Sequence, residues 1–241
     1  MYVGRVSVGG ERGIDWRVLI WNLKHGRSVP SAGRDLAAEF TEALRGWEWD
    51  LALLQEVPPW WPPQLAAALD ADQRMVLTSR NLGLWLRRPL AIRWPDAIKS
   101  SGGGANAILV RRAVGRIAEH RTRRLCWLPE RRWVHGVRLQ SEAGETWICN
   151  LHTASDADQG RVAAATALTW AGGGPVVLGG DFNVRSLSLE GYEQIAGNHV
   201  DHVYVHGLGG DPQSAATLDS GELSDHAPVA VTVRPAARGG P

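Results

Sequence analysis

Apolar positions along the chain fall into two rhythms. WRVLIWNL (16–23) and LALLQEV (51–57) predict strands, and the short unbroken aliphatic run Val176-Val177-Leu178 within PVVLGGDFN (175–183) predicts a strand buried on both faces. Further strands are predicted at RMVLT, LGLWLRR, NAILVRR, RWVHGVRLQ, TWICNLHT, HVDHVYVHG and APVAVTVR, and RLCWL is strand-like too. Elsewhere apolar residues recur at helical spacing: over 31–47, after a serine and closing near Gly46; over 61–69, with prolines at its start; and over about 156–170, behind an Asp-rich start. Many strands and few helices predict two packed sheets flanked by helices, a layered α/β sandwich. No biased linker and no fixed-period repeat divides residues 1–234, so one domain is expected there, with a disordered tail at 235–241.

The polar residues gain meaning from where these strands end. In PVVLGGDFNVRS, Gly179 and Gly180 permit a sharp turn and a close approach, and Asp181 and Asn183 share one side of an extended segment. An Asx-rich turn is the other reading of the same residues. Asn22 ends the first strand, Glu56 the second and His152 the TWICNLHT strand, while Asp225 and His226 precede the last. Side chains converging on one sheet edge would produce this recurrence.

In order, IWNLKHG, LLQEV, GGGANAILVRR, CNLHT, VVLGGDFNV, VDHVYV and LSDHAPV resemble the successive motifs of the endonuclease/exonuclease/phosphatase superfamily, over about residues 16–233. The resemblance implies a four-layered, DNase I-like α/β sandwich of two mainly antiparallel sheets. It also implies a Mg²⁺-dependent phosphoesterase, with Mn²⁺ as the substitute ion. Glu56 would be the main metal ligand, with Asn22 and Asp225 in direct or water-mediated support, which suits a hard cation that prefers oxygen donors. Asp181 would orient or deprotonate the attacking water, and Asn183 would fix its geometry or hold a phosphate oxygen. His226 would act as general base or cationic stabiliser, with Asp201 setting its tautomer, and His152 would donate to a phosphate oxygen. Asn106 matches a position that lines the site, and His202, next to Asp201, is a candidate substrate contact. The other histidines, His25 among them, read as ordinary core or surface residues.

Composition narrows the partner. The chain of 241 residues is 44% hydrophobic and 21% charged, which is globular, and its net charge of +1 projects no global field toward a polyanion. The charge is uneven: residues 111–138 hold nine Arg against Glu119 and Glu130, a local +7 that leaves −6 for the remainder. With Trp127 and Trp133, that segment reads either as a surface tracking a nucleic-acid strand or as a solvated strand pair whose Trp face the core. Twelve Trp stand against two Phe and three Tyr, and the Trp60-Trp61 pair beside prolines suggests an exposed recognition lip or a partner contact. Cys126 and Cys149 make no disulfide framework and read as buried free thiols. With neither a signal-like start nor an apolar run of membrane-spanning length, a soluble, cytoplasmic protein without membrane association is expected.

The substrate is expected to be a phosphate ester, foremost in nucleic acid. Small phosphorylated molecules or lipid head groups are the alternative, and a silent binding module on the same scaffold is a third reading. Apurinic endonucleases carry an aromatic residue where this chain has the glycines of SGGGANAILV, and DNase-like members place an Arg soon after QE, where Val57, Pro58 and Pro59 follow here. Both departures speak against abasic-site repair or DNase I-like nicking in particular.

Overall fold

The computed structural model describes residues 15–78, 81, 83–98, 104–128 and 130–235. In chain order its elements are β1 (Trp16–Asn22), α1 (Ala37–Gly46), β2 (Leu51–Val57), α2 (Trp61–Ala68), β3 (Ala71–Leu77), α3 (Leu84–Arg93), α4 (Pro95–Ile98), β4 (Ala105–Arg111), β5 (Gly115–Cys126), β6 (Arg132–Ser141) and β7 (Gly144–His152). They continue with α5 (Ala157–Ala171), β8 (Val176–Asp181), β9 (Glu193–Asn198), β10 (Asp201–His206), β11 (Gly209–Thr217) and β12 (Val229–Arg234).

The strands form two six-stranded sheets, β11-β12-β1-β2-β4-β3 and β5-β6-β7-β8-β10-β9. Each sheet has one parallel pair at its centre, β1 with β2 and β7 with β8, and antiparallel pairs elsewhere. A helical crossover joins each parallel pair, α1 in the first sheet and α5 in the second, as parallel neighbours require.

The unbroken apolar runs follow from burial on both faces. Along β1, Trp16, Val18 and Ile20 enter the core between the sheets, while Leu19 and Trp21 turn outward to Phe40, Leu44 and Trp61 beneath α1 and α2. Across the second sheet, Ile148 and Val177 face the central core, and Cys149, Leu178 and Tyr204 face Ala163 and Ala167 of α5. Helix, sheet, sheet and helix therefore stack as four layers. Gly179 marks a close approach of the sheets: a Cβ there would lie 2.9 Å from Leu53 Cδ1 and 3.1 Å from Ile20 Cγ2. Gly180, at φ +138°, has a conformation that side-chain-bearing residues rarely adopt.

Several local expectations are corrected. In LGLWLRR, residues 84–88 are not a strand but the start of α3, entered through Gly83 at φ +64° and carrying Pro89, a residue that a ladder would exclude, and Leu82 lies outside the described residues. Helix α1 begins only at Ala37. Strands β9 and β11 lie in stretches with no apolar alternation. Trp60 and Trp61 form no exposed lip, because Trp61 is buried with its ring 5.3 Å from that of Phe40 and Trp60 is half-buried. Cys126 is half-buried, and only Cys149 is fully enclosed. The expected tail lies, apart from Pro235, outside the described residues.

Candidate active site

Topology explains why the polar residues meet. The C-terminal ends of the parallel strands carry Asn22 on β1, Glu56 within β2, His152 on β7 and Asp181 on β8. Their antiparallel neighbours begin at the same edge, with Asn106 early in β4, Asp201 opening β10, and His226 just before β12. Register aligns His152 with Asp181 and Asp181 with Asp201, so the three share one face of the second sheet. Asn22 of the first sheet closes on them, its Nδ2 donating to Asp181 Oδ2 at 3.0 Å.

His226 is held by Asp201: Nδ1 lies 2.8 Å from Asp201 Oδ2, leaving Nε2 3.9 Å from Asp181 Oδ2. Burial pulls the His226 imidazole down, but the hydrogen bond and charge of Asp201, with Asp181 and Asp225 behind it, lift its pKa to about 9. Asp181 moves upward to about 6, first because it is buried and then because the Asp201 carboxylate faces it. His152 points Nε2 at Asp181 Oδ2 (3.4 Å) and Glu56 Oε1 (4.0 Å). Its Nδ1 lies 2.9 Å from Arg132 Nη1. A guanidinium only donates, so Nδ1 accepts and the ring proton sits on Nε2. Burial, and then the charges of Arg132, His226 and His25, hold this imidazole well below its usual range, so His152 is a neutral Nε2–H donor.

The backbone is strained here. Glu56, Asn183, His25 and Ser224 are all non-glycine residues at positive φ, between 50° and 66°. Glu56 sits in a bulge, where the β2–β4 register shifts between Leu54 and Val57. Asn150 fills the gap from the other sheet: Nδ2 donates to Leu54 O (3.0 Å) and Ala107 O (2.9 Å), and Oδ1 accepts from Gln55 Nε2 (2.7 Å). The bulge that aims Glu56 is thus pinned by a fully buried amide.

A family model described as the endonuclease/exonuclease/phosphatase family matches residues 19–226. The chain belongs to the endonuclease/exonuclease/phosphatase family. Membership places it among phosphoesterase hydrolases. No curated protein matches the sequence. Among solved structures, a Bacteroides vulgatus endonuclease/exonuclease/phosphatase superposes at TM-score 0.67 with 16% identity, covering 92% of this chain and 99% of that one. D. rerio TDP2 complexed with a single-strand DNA product superposes at 0.68 with 13% identity, covering 92% and 99%. A mannosyl-6-phosphatase of Bacteroides thetaiotaomicron does so at 0.63 with 16% identity, covering 90% and 99%. At these identities the likeness establishes the DNase I-like fold. No helix among the described residues is long and apolar enough to cross a membrane.

The expected residues of this family site fare differently. Asn22, Glu56, His152, Asp181, Asp201 and His226 are brought together. Asn183 is not on an extended segment: β8 stops at Asp181, Asn183 turns at φ +51°, its backbone N–H donates to Asp181 Oδ1 (2.9 Å) and its Nδ2 to Thr153 O (2.8 Å). The Asx turn and the polar pair are therefore one feature. Asn106 is fully buried, and neither amide atom has a partner among the described residues. Asp225 stands apart, 51% exposed and engaged by Lys24 Nζ at 2.6 Å. The expectation that His202 touches substrate finds no support, since its ring lies inside with Nε2 2.8 Å from Val184 O and Nδ1 3.1 Å from Gln194 Nε2. His25 was missed: its Nε2 is 3.1 Å from Glu56 Oε2, brought there by a 3-10 turn over Lys24–Gly26.

The donor set fits a hard divalent cation. Ligand atoms of Asp181, Asp201 and His226 lie within 4.8 Å of one another, and Asp201 Oδ1 is buried without a partner among the described residues. Asp181 and Asp201 face each other with His226 as their shared cationic neighbour, and Asp181 is still pushed up to about 6, a carboxylate-rich pocket of the kind that oxygen-preferring ions suit.

Proposed function

We propose that the protein is a Mg²⁺-dependent phosphodiesterase that hydrolyses phosphate ester bonds in nucleic acid by attack of an activated water. The observation that carries this reading is the buried Asp181 set between His152 Nε2 and a His226–Asp201 pair, a base and two donors aimed at one point. Bound here, Mg²⁺, or Mn²⁺ in its place, would neutralise charge on the phosphoryl oxygens. Glu56 is the residue assigned to hold it, with Asn22 in support, while His25 braces the Glu56 carboxylate.

Asp181, ionised above about pH 6, orients the water and takes its proton as the new P–O bond forms and the ester P–O bond breaks, the departing alkoxide being protonated by solvent. Asn183 fixes the geometry through the Asp181 carboxylate that its N–H contacts. His226 is cationic at neutral pH, which favours charge stabilisation over base catalysis, and Asp225 adds to the field that keeps it so. His152 donates Nε2–H to a phosphoryl oxygen, and the buried, unpartnered Asn106 amide is assigned to line the site.

The test is Mg²⁺-dependent hydrolysis of plasmid DNA, DNA and RNA oligomers, bis-p-nitrophenyl phosphate and inositol phosphates by wild type, Glu56→Gln and His226→Ala. Losses of about 100-fold or more in both variants are expected. Full activity of Glu56→Gln in excess EDTA would sink the reading. A fold shared with a mannosyl-6-phosphatase supports a second reading, turnover confined to small phosphates, which the same panel separates.

A further inference from the structure

The arginine-rich segment divides once its partners are known. Arg111 is committed to the backbone carbonyls of Trp49 and Leu69, Arg112 to Asp70 and Asp72, Arg123 to Thr166, and Arg121 and Arg138 to Glu119. Arg111 and Arg112 close the end of β4, and Arg121, Arg123 and Arg138 belong to the strand pair β5–β6. The tip between β5 and β6 is different. There Trp127 is 58% exposed, with the Arg124 guanidinium 3.6 Å and the Arg131 guanidinium 5.3 Å from its ring centre.

This tip is continuous with the candidate site. Arg124 pairs in register with Trp133, Trp133 with His152, and His152 with Asp181. Direct cross-strand partners share a face, so Arg124, Trp133 and His152 form one row leading outward from Asp181. Three strand spacings make that row roughly 14 Å long.

We infer that this row, with Trp127 and Arg131 at its outer end, is a track for a single-stranded polynucleotide leaving the scissile phosphate. The inference rests on the phosphodiesterase reading and deepens it. Guanidinium groups at the tip meet the backbone phosphates, and the exposed part of the Trp127 indole that Arg124 leaves uncovered accepts an unstacked base, which a duplex does not present. At no less than about 3.4 Å per nucleotide, the row holds up to about four. A lipid surface fits less well: burying Trp127 and the 84% exposed Leu128 in acyl chains would desolvate the arginines lying on the indole, whereas a phosphate backbone pairs with them.

The experiment uses the full chain. Fluorescence anisotropy of a labelled oligo(dT) of about 12 nucleotides is measured in EDTA between about 50 and 200 mM salt. Wild type is compared with Trp127→Ala, with the double variant Arg124→Ser/Arg131→Ser, and with Arg116→Ser at the other end of β5. Mg²⁺-dependent turnover of bis-p-nitrophenyl phosphate is followed in parallel, with melting temperatures to verify folding. Trp127→Ala is expected to weaken oligomer binding by about 5- to 150-fold, the value of one stacked base. The double variant should lower the slope of log affinity against log salt by about 1.4, the release expected from two phosphate contacts on a single strand. Arg116→Ser and small-substrate turnover should not change. Wild-type cleavage should rise with oligomer length over about four nucleotides on one side of the cut and then level.

Unchanged binding in folded tip variants overturns the track, as does wild-type failure to bind the oligomer. Loss of binding to phosphatidylserine vesicles with oligomer binding intact transfers the tip to a lipid role. If wild type turns over neither substrate, the phosphodiesterase reading falls while the binding series still decides the track. If only the small substrate is turned over and the oligomer is not bound, the track falls alone.

Discussion

Replacing Asp181 with asparagine should stabilise the metal-free protein while abolishing hydrolysis. Burial and the facing Asp201 carboxylate raise the Asp181 pKa from 3.8 to about 6. At 1.36 kcal/mol per unit, ionising Asp181 in the folded state costs about 3 kcal/mol at pH 7. The penalty is absent below pH 3.8, where the group is protonated folded or unfolded, and stability is lost as pH rises through about 6. Asparagine removes the charge and keeps an oxygen for the Asn183 N–H, but it forfeits the 3.0 Å hydrogen bond from Asn22 Nδ2, a loss of about 1–2 kcal/mol. The net gain is about 1–2 kcal/mol, or roughly 2–8 °C in Tm for a chain of this size. Calorimetry in EDTA at pH 4 and pH 7 would measure it, with Mg²⁺ titrated afterward. The gain should appear at pH 7, shrink at pH 4, and be overtaken when Mg²⁺ stabilises only the wild type. An Asp181→Asn protein that melts at or below wild type at pH 7, or shows the same difference at both pH values, refutes the reasoning.

His226 gives the opposite test of charge. Its pKa is raised from 6.5 to about 9, so it contributes about 3 kcal/mol that is present below pH 6.5 and lost as pH rises through about 9. Asp201→Asn in EDTA should therefore lose stability at pH 6 and flatten the decline between pH 7 and pH 10, read by urea denaturation at each pH. Arg132→Met should release the His152 Nδ1 lone pair, so two-bond ¹H–¹⁵N spectra should show the pure Nε2–H tautomer giving way to a mixture. Turnover should fall about 10-fold or more, with partial rescue by Arg132→Lys; an unmoved tautomer would leave Arg132 without this role. Asn150→Leu should destabilise by about 3 kcal/mol, because Leu54 O, Ala107 O and Gln55 Nε2 lose their bridging partner in the core, and a urea midpoint equal to wild type would discount the brace.

Where the sequence misled, local signals competed. LGLWLRR alternates like a strand, yet no strand among the described residues pairs with it and its Trp85 is 78% exposed, so residues 84–88 wind into α3. Strand β5 is rich in Arg, and only its RLC end looked strand-like, because it is a sheet edge whose side chains are largely solvated. His25 carried no local sign at all, since what makes it a site residue is a left-handed turn that swings it across to Glu56.

By itself the sequence determined the layers and the identities at the strand ends, because burial on two faces demands unbroken aliphatic runs and a strand leaving the core must turn polar. It could also carry the order of the motifs, and with them the family. Only the tertiary structure decided which of those ends meet, which carboxylate is pushed upward by burial, and which arginines lie against an exposed indole. Those properties depend on register and on distances between residues far apart in the chain: the contact between Asn22 and Asp181 spans 159 positions, and no local pattern encodes it.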